Sequence, residues 1–236
     1  MTSQRHFRPR TAVAVIIANM IGTGVFTTLG FQLMDVSSVF AIMMLWVIGG
    51  VAALCGALSY AELGTALPRS GGEYNFLSRI YHPSAGFISG WISATVGFAA
   101  PIAVVAIAFA KYGAAVLPFE VSGTAQTFIA AALVIVTAVV HARSRRMSGG
   151  FQFGFTLLKI ALIIGFCLAA FTLTRDPQAL TLLPQSGDGA VMRSAGYGVS
   201  LIYVSYAYTG WNAATYISGE LERPQADLPR ILILGT

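Results

Sequence analysis

Charge is the scarcest thing in this chain. Asp, Glu, Lys and Arg make up 10% of the 236 residues, whereas 56% are hydrophobic. A soluble domain carries about a quarter charged residues, so that class is excluded and an integral membrane protein is indicated. Cysteine is scarcer still. Cys55 and Cys167 both lie in apolar stretches, which excludes a disulfide framework; they read as packing residues, and no Cys/His spacing suits a metal. His6, His82 and His141 lie outside the apolar runs or at their ends, and no Asp/Glu pair or nucleophile–base pattern falls inside them. Enzymatic chemistry, cofactors and metal are therefore not expected. The net charge of +5 does not argue for nucleic acid, because the basic residues sit in short loops between apolar runs. Nor does the start resemble a cleavable signal peptide: Arg5, Arg8 and Arg10 lead into a full-length span.

What is abundant is long apolar sequence, in six runs. They cover Thr11–Met34, Ser38–Leu63, Ser84–Leu117 (long enough to tilt, with a bend expected at Pro101), Thr124–Val140, Gly150–Leu173 and Ala190–Ser218. A seventh run opens at Leu228–Gly235. Arg5, Arg8 and Arg10 precede the first span, Arg69 and Arg79 follow the second, Arg143, Arg145 and Arg146 the fourth, and Arg223 and Arg230 the sixth. The other side carries Asp35, Glu120, Arg175, Asp176, Asp188 and Arg193. The positive-inside rule places the N-terminus, residues 1–10, in the cytoplasm.

Two spans carry residues that suit a lipid-facing helix poorly. Gly22-Thr23-Gly24 lies near the middle of the first, where unpaired backbone groups survive only against protein or a water-filled cavity. Read alone, it is either a ligand site or a place where two helices pack closely. The sixth holds Tyr203-Val204-Ser205-Tyr206-Ala207-Tyr208-Thr209-Gly210-Trp211-Asn212, with aromatic, hydroxyl and amide groups around one glycine. An interfacial aromatic belt would sit nearer a span end, so binding is the favoured reading. Two interrupted helices opening the two halves of a fold point to a transporter built from inverted repeats.

Between spans two and three, Pro68 and Gly71-Gly72 end one helix and force a tight turn, and Glu73–Ile80 suits a short interfacial helix. Turn chemistry and surface charge account for this loop; an Arg69–Glu73 ion pair would suit a cytoplasmic gate.

With these motifs in order, the chain resembles a known family. Ile21-Gly22-Thr23-Gly24-Val25-Phe26, Tyr60-Ala61-Glu62-Leu63-Gly64, Pro68-Arg69-Ser70-Gly71-Gly72-Glu73-Tyr74, Tyr208-Thr209-Gly210-Trp211-Asn212, Gly219-Glu220 and Leu228-Pro229-Arg230 are similar to those of amino acid/polyamine/organocation (APC) permeases, especially the L-type amino acid transporter branch. The resemblance implies an all-α integral membrane fold of the five-plus-five inverted-repeat (LeuT-like) kind. Residues 11–173 would form the first five-helix repeat, and 190–236 helix six, broken near 208–211, with the start of helix seven. It implies secondary active transport of amino acids by alternating access across the cell membrane. Thr23 and Gly24, with Ile21 and with Gly22 granting the backbone geometry, would hold the substrate carboxylate on free N–H groups. The unwound turn at Ala207, Tyr208, Thr209 and Gly210 would receive the α-amino group. Tyr206 falls at a gating aromatic, Asn212 where polar side chains tune the pocket, and Thr209 where the L-type branch often has glycine, a departure that bears on selectivity.

Lys159, inside span five, is the only lysine deep in a span, and an ionisable group there is a functional hypothesis by default. In bacterial members of the resembled family, a lysine so placed stands in for a sodium ion and braces helix one. That implies proton-linked or exchange transport. No acidic residue lies near either break in sequence, which suits a small or medium neutral amino acid. The resemblance also implies ten or more spans. The chain is accordingly expected to be an N-terminal portion or inactive fragment, or else a non-transporting or half-transporter subunit needing a second chain. The amino acid substrate and the lipid bilayer are its expected partners.

Overall fold

Helices and their interruptions define the architecture. The computed structural model describes residues 9–143, 145–173 and 181–236; of Thr23, Phe26, Thr27, residues 145–150 and Gln152 it describes the backbone alone. Arg5, Arg8, Arg175 and Asp176, used above for orientation, lie outside the described residues. The elements are α1 (Pro9–Met20), α2 (Thr23–Asp35), α3 (Val39–Ala66), α4 (Glu73–Ile80), α5 (Pro83–Ile92), a π-helical stretch (Ser93–Ala99), α6 (Ala100–Val116), α7 (Gly123–Arg143), α8 (Arg145–Leu173), α9 (Asp188–Val191), α10 (Ala195–Ala207), two 3-10 turns (Ala213–Tyr216 and Ser218–Glu220) and α11 (Pro224–Gly235). Four described stretches are long and apolar enough to cross a membrane: Val39–Ala66, Pro83–Val116, Gly123–Arg143 and Phe153–Leu173. They correspond to expected spans two to five. Spans one and six are each divided, as the glycines suggested. The protein is an all-α, multi-pass membrane protein.

Local chemistry sets the boundaries. The Ser38 hydroxyl accepts the Ala41 N–H at 3.2 Å and starts α3. That helix outlasts its expected end by three residues, to Ala66, before Leu67-Pro68 stops it. Just before Pro101, where a bend is expected, the helix widens into the π-helical stretch, and the Ala100 N–H reaches back to the Thr95 carbonyl. Pro101 has no N–H for the carbonyl four residues back, and widening the preceding turn accommodates the loss. The expected interfacial helix is present as α4. Gly71 and Gly72, at φ 119° and 50°, make the turn before it. Asn75 Nδ2 pins that turn by donating to the Leu67 and Arg69 carbonyls at 3.2 and 3.1 Å.

The chain divides into two compact units, one of residues up to 76 with those from 162 onward, the other of residues 77–161. In the second, α6 and α7 pack through Ala106, Ala110 and Ala130, small residues that let helix backbones approach. In the first, α3 is the common support. Its N-terminal half joins α2 and α10 through Val36, Ala41, Ile42, Leu45, Tyr197 and Val204. Its C-terminal half joins α1, the 3-10 segment and α11 around Ala12, Ile16, Ala57, Ala61, Leu228 and Ile231. Cys55 and Cys167 are both exposed in the described chain and do not pack as expected. A small apolar thiol suits a lipid-facing position as well as an interior one, so composition could not separate the two.

Candidate functional site

The two interruptions meet. α1 closes with the Ile21 N–H on the Ile17 carbonyl at 2.9 Å and the Gly22 N–H on the Met20 carbonyl at 2.8 Å. α2 then starts afresh at Thr23, with Gly22, which has no side chain to serve as a cap, at its N-cap position. The first-turn N–H groups of a helix have no partner within the helix, and glycine at the N-cap offers them none. Gly22 itself has φ −103°, and an added Cβ would meet only the Asn19 carbonyl oxygen at 3.5 Å, so backbone geometry does not reserve the position for glycine. Gly24 is different: its Cβ would lie 2.8 Å from the Ala207 Cα. This close approach sets the N-terminus of α2 beside the C-terminus of α10.

The second break follows from its own sequence. After Ala207, the Tyr208 N–H still reaches the Val204 carbonyl at 3.0 Å, while the Thr209 N–H and hydroxyl both turn to the Tyr206 carbonyl, at 3.1 and 2.7 Å. Gly210 then takes φ +106°, a conformation L side chains rarely adopt. Its added Cβ would sit 2.8 Å from Asn19 Cβ and 2.9 Å from the Asn19 carbonyl carbon. Gly210 is therefore pressed against the last turn of α1.

Ile21, Gly22, Gly24, Ala207 and Gly210 are thus brought together; the Thr23 side chain lies outside the described residues. Because α2 and α10 run antiparallel, with Gly24 against Ala207 and Gly196 against Asp35, the positive end of one helix adjoins the negative end of the other.

Other expected site residues are placed elsewhere. The Tyr208 hydroxyl donates to the Trp46 carbonyl at 3.1 Å, and its ring lies over Gly50 of α3. Tyr206 is 44% exposed. Asn212 Nδ2 donates to Glu73 Oε1 at 2.6 Å and to the Tyr216 hydroxyl at 3.0 Å. Glu73 also accepts from the Tyr60 hydroxyl at 3.0 Å and the Tyr216 hydroxyl at 2.9 Å. Arg69 is exposed and is not among the partners of Glu73, so the expected ion pair does not form. Glu73 also places a carboxylate beside the second break, where sequence proximity suggested none. Lys159 is half-buried in α8, within the unit of residues 77–161.

Sequence reasoning passed over Asn19, Tyr60, Trp211 and Tyr216. Tyr60 stands edge-on to Trp211, ring centroids 4.8 Å apart, and Trp211 lies where a Cβ on Gly56 would be 2.8 Å from its ring. The signal was available in part, since Tyr60 and Trp211 both fall inside the motifs that carry the family resemblance.

Comparison with known proteins identifies the family. Residues 7–236 match the amino acid permease family model. The chain is 28% identical over 229 residues to the human b(0,+)-type amino acid transporter 1, covering 95% of the chain and 46% of the relative. It is 32% identical over 238 residues to the rat large neutral amino acids transporter small subunit 2, and 30% identical over 232 residues to the mouse Asc-type amino acid transporter 1; each match covers 95% of the chain and 43% of the relative. The chain thus spans about half the length of the curated relatives it matches. These transporters are not enzymes, and the chain belongs to the amino acid permease family.

Proposed function

We propose that the chain carries the substrate site of a secondary active amino acid transporter of the five-plus-five inverted-repeat kind, working by alternating access across the cell membrane with its N-terminus in the cytoplasm. Residues 11–173 supply the first repeat and residues 190–236 open the second. The observation that carries the reading is the contact of Gly24 with Ala207, which sets the first-turn N–H groups of α2 against the C-terminal end of α10. On this reading Thr23 and Gly24 hold the substrate carboxylate, the turn from Ala207 to Gly210 takes the ammonium group, Tyr206 shields the bound substrate, and Arg69 and Glu73 belong to the cytoplasmic mouth. Lys159 links movement to proton or exchange coupling. The name of the rat large neutral amino acids transporter and the engagement of Glu73 by three donors favour a neutral amino acid.

The chain's half-length relation to its relatives favours a second reading, in which it works with further polypeptide. Equilibrium binding of tritiated L-leucine to the purified protein, followed by uptake into proteoliposomes with and without a pH gradient or internal amino acid, tests both. Saturable, displaceable binding supports the site. Its absence from folded protein refutes the site, and binding without uptake supports the second reading.

A further inference from the structure

Three side chains, none of them cationic, hold Glu73: Asn212 and Tyr216 beyond the second break, and Tyr60 of α3. Its Oε1 accepts from Asn212 Nδ2 at 2.6 Å and from the Tyr60 hydroxyl at 3.0 Å; its Oε2 accepts from the Tyr216 hydroxyl at 2.9 Å. A half-buried carboxylate is costly to hold unless other groups, such as hydrogen-bond donors and a helix end, replace water. Here both are supplied, because Glu73 is the first residue of α4 and lies at the positive end of that helix. The cluster is built tightly: an added Cβ on Gly72 would fall 2.6 Å from the Tyr216 ring. Beside it, the Gly219 N–H donates to the Ser70 hydroxyl at 2.8 Å, so the same loop grips the segment twice.

Asn212 lies two residues beyond Gly210. Three consecutive positions are therefore held from three directions: Gly210 by Asn19 and Met20 of α1, Trp211 by Tyr60 and Gly56 of α3, and Asn212 by Glu73 of α4. The first two grips are packing contacts. The third is a charge-assisted hydrogen bond, which depends on direction and is lost when either partner is changed.

We propose that Glu73 is a positioning residue for the substrate site: its carboxylate clasps Asn212 and Tyr216, and through them fixes the backbone of the Tyr208–Gly210 turn. The inference rests on the proposed substrate site for its consequence in binding, and on the hydrogen-bond geometry alone for the clasp. Glu73 does not touch the substrate. It acts by holding the turn whose carbonyls do.

The test uses the full chain in detergent and compares wild type with Glu73→Gln, Glu73→Ala, Asn212→Asp and the double variant E73Q/N212D. The readouts are amide hydrogen exchange of a peptide covering residues 206–216 and equilibrium binding of tritiated L-leucine. In Glu73→Ala, exchange in that peptide rises about tenfold and leucine affinity falls by a similar factor, the loss of roughly one charge-assisted hydrogen bond. Glu73→Gln keeps the shape and loses less. Asn212→Asp sets two carboxylates against each other and is at least as damaging as Glu73→Ala. E73Q/N212D restores one amide–carboxylate pair and recovers most of the protection and affinity, which a general loss of stability would not do. Unchanged exchange in Glu73→Ala, or no recovery in the double variant, overturns the clasp. Raised exchange with unchanged leucine affinity overturns the positioning role. Should wild type bind no leucine, the substrate-site reading fails, and the exchange data alone still decide the clasp.

Discussion

Replacing Gly210 by alanine puts the meeting of the two breaks under direct strain. Two independent costs follow from the structure. At φ +106° an L-residue lies outside its ordinary backbone regions, which costs about 1–3 kcal/mol. The new methyl group would also lie 2.8 Å from Asn19 Cβ and 2.9 Å from the Asn19 carbonyl carbon. One of those atoms is backbone and cannot swing away, so overpacking adds about 1–3 kcal/mol. Together the penalty is about 2–6 kcal/mol. For a domain of this size it lowers the melting temperature by about 5–20 °C. Gly30→Ala is the internal control, because nothing lies within 4 Å of its added Cβ and it sits inside α2. That substitution changes stability by about 1 kcal/mol or less. Thermal unfolding of both variants in detergent, followed by circular dichroism, reads the difference. If Gly210→Ala melts with wild type, Gly210 is not pressed against α1 and the joined site is refuted.

Gly24→Ala places a methyl group 2.8 Å from the Ala207 Cα, so it pushes α2 from α10 and should weaken leucine binding about tenfold while costing about 1–3 kcal/mol in stability; unchanged affinity would separate this contact from the site. Lys159→Ala should abolish concentrative uptake or make it insensitive to an imposed pH gradient, and full accumulation by that variant in proteoliposomes would remove Lys159 from coupling. At the start of the sixth segment, the Gln185 N–H donates to the Asp188 carboxylate at 2.7 Å and, with the Ser38 hydroxyl, holds that carboxyl below its usual range. A depressed carboxyl adds stability that is complete above its unfolded value of about 3.9 and is lost as pH falls through the lower folded value. The Gln185 amide resonance should therefore titrate below that ordinary value, and Asp188→Asn should erase the step; a midpoint at or above it would contradict the contact.

Sequence made the membrane class, four of the spans, the short α4 helix and both breaks legible, because each rests on local chemistry: apolar length, proline and glycine punctuation, and an interrupted apolar face. It misjudged the second-site partners for a different reason. Asn212 and Glu73 are far apart in sequence, and only the packing of α3, α4 and the 3-10 segment brings the amide to the carboxylate. Arg69 is the nearer cation in sequence, but Asn75 occupies the Arg69 carbonyl and turns the loop so that Glu73 meets Tyr60, Asn212 and Tyr216. Tyr208 stands in the broken turn, and only the folded chain shows that its ring rests on glycines of α3. Glycine itself gives no direction in sequence: Gly22 and Gly24 look alike, and only Gly24 is in tight contact across helices.

On the proposed reading, the opposed ends of α2 and α10 bind the two charged groups of an amino acid. Comparing the affinity of the purified protein for L-leucine and for 3-methylbutan-1-amine, which is leucine without its carboxylate, tests it most directly. Loss of the carboxylate removes at least one hydrogen bond to a charged group, and about 3 kcal/mol for two such bonds corresponds to more than a hundredfold in affinity. The amine should compete at least a hundredfold more weakly than leucine. Equal competition by the two compounds would contradict it.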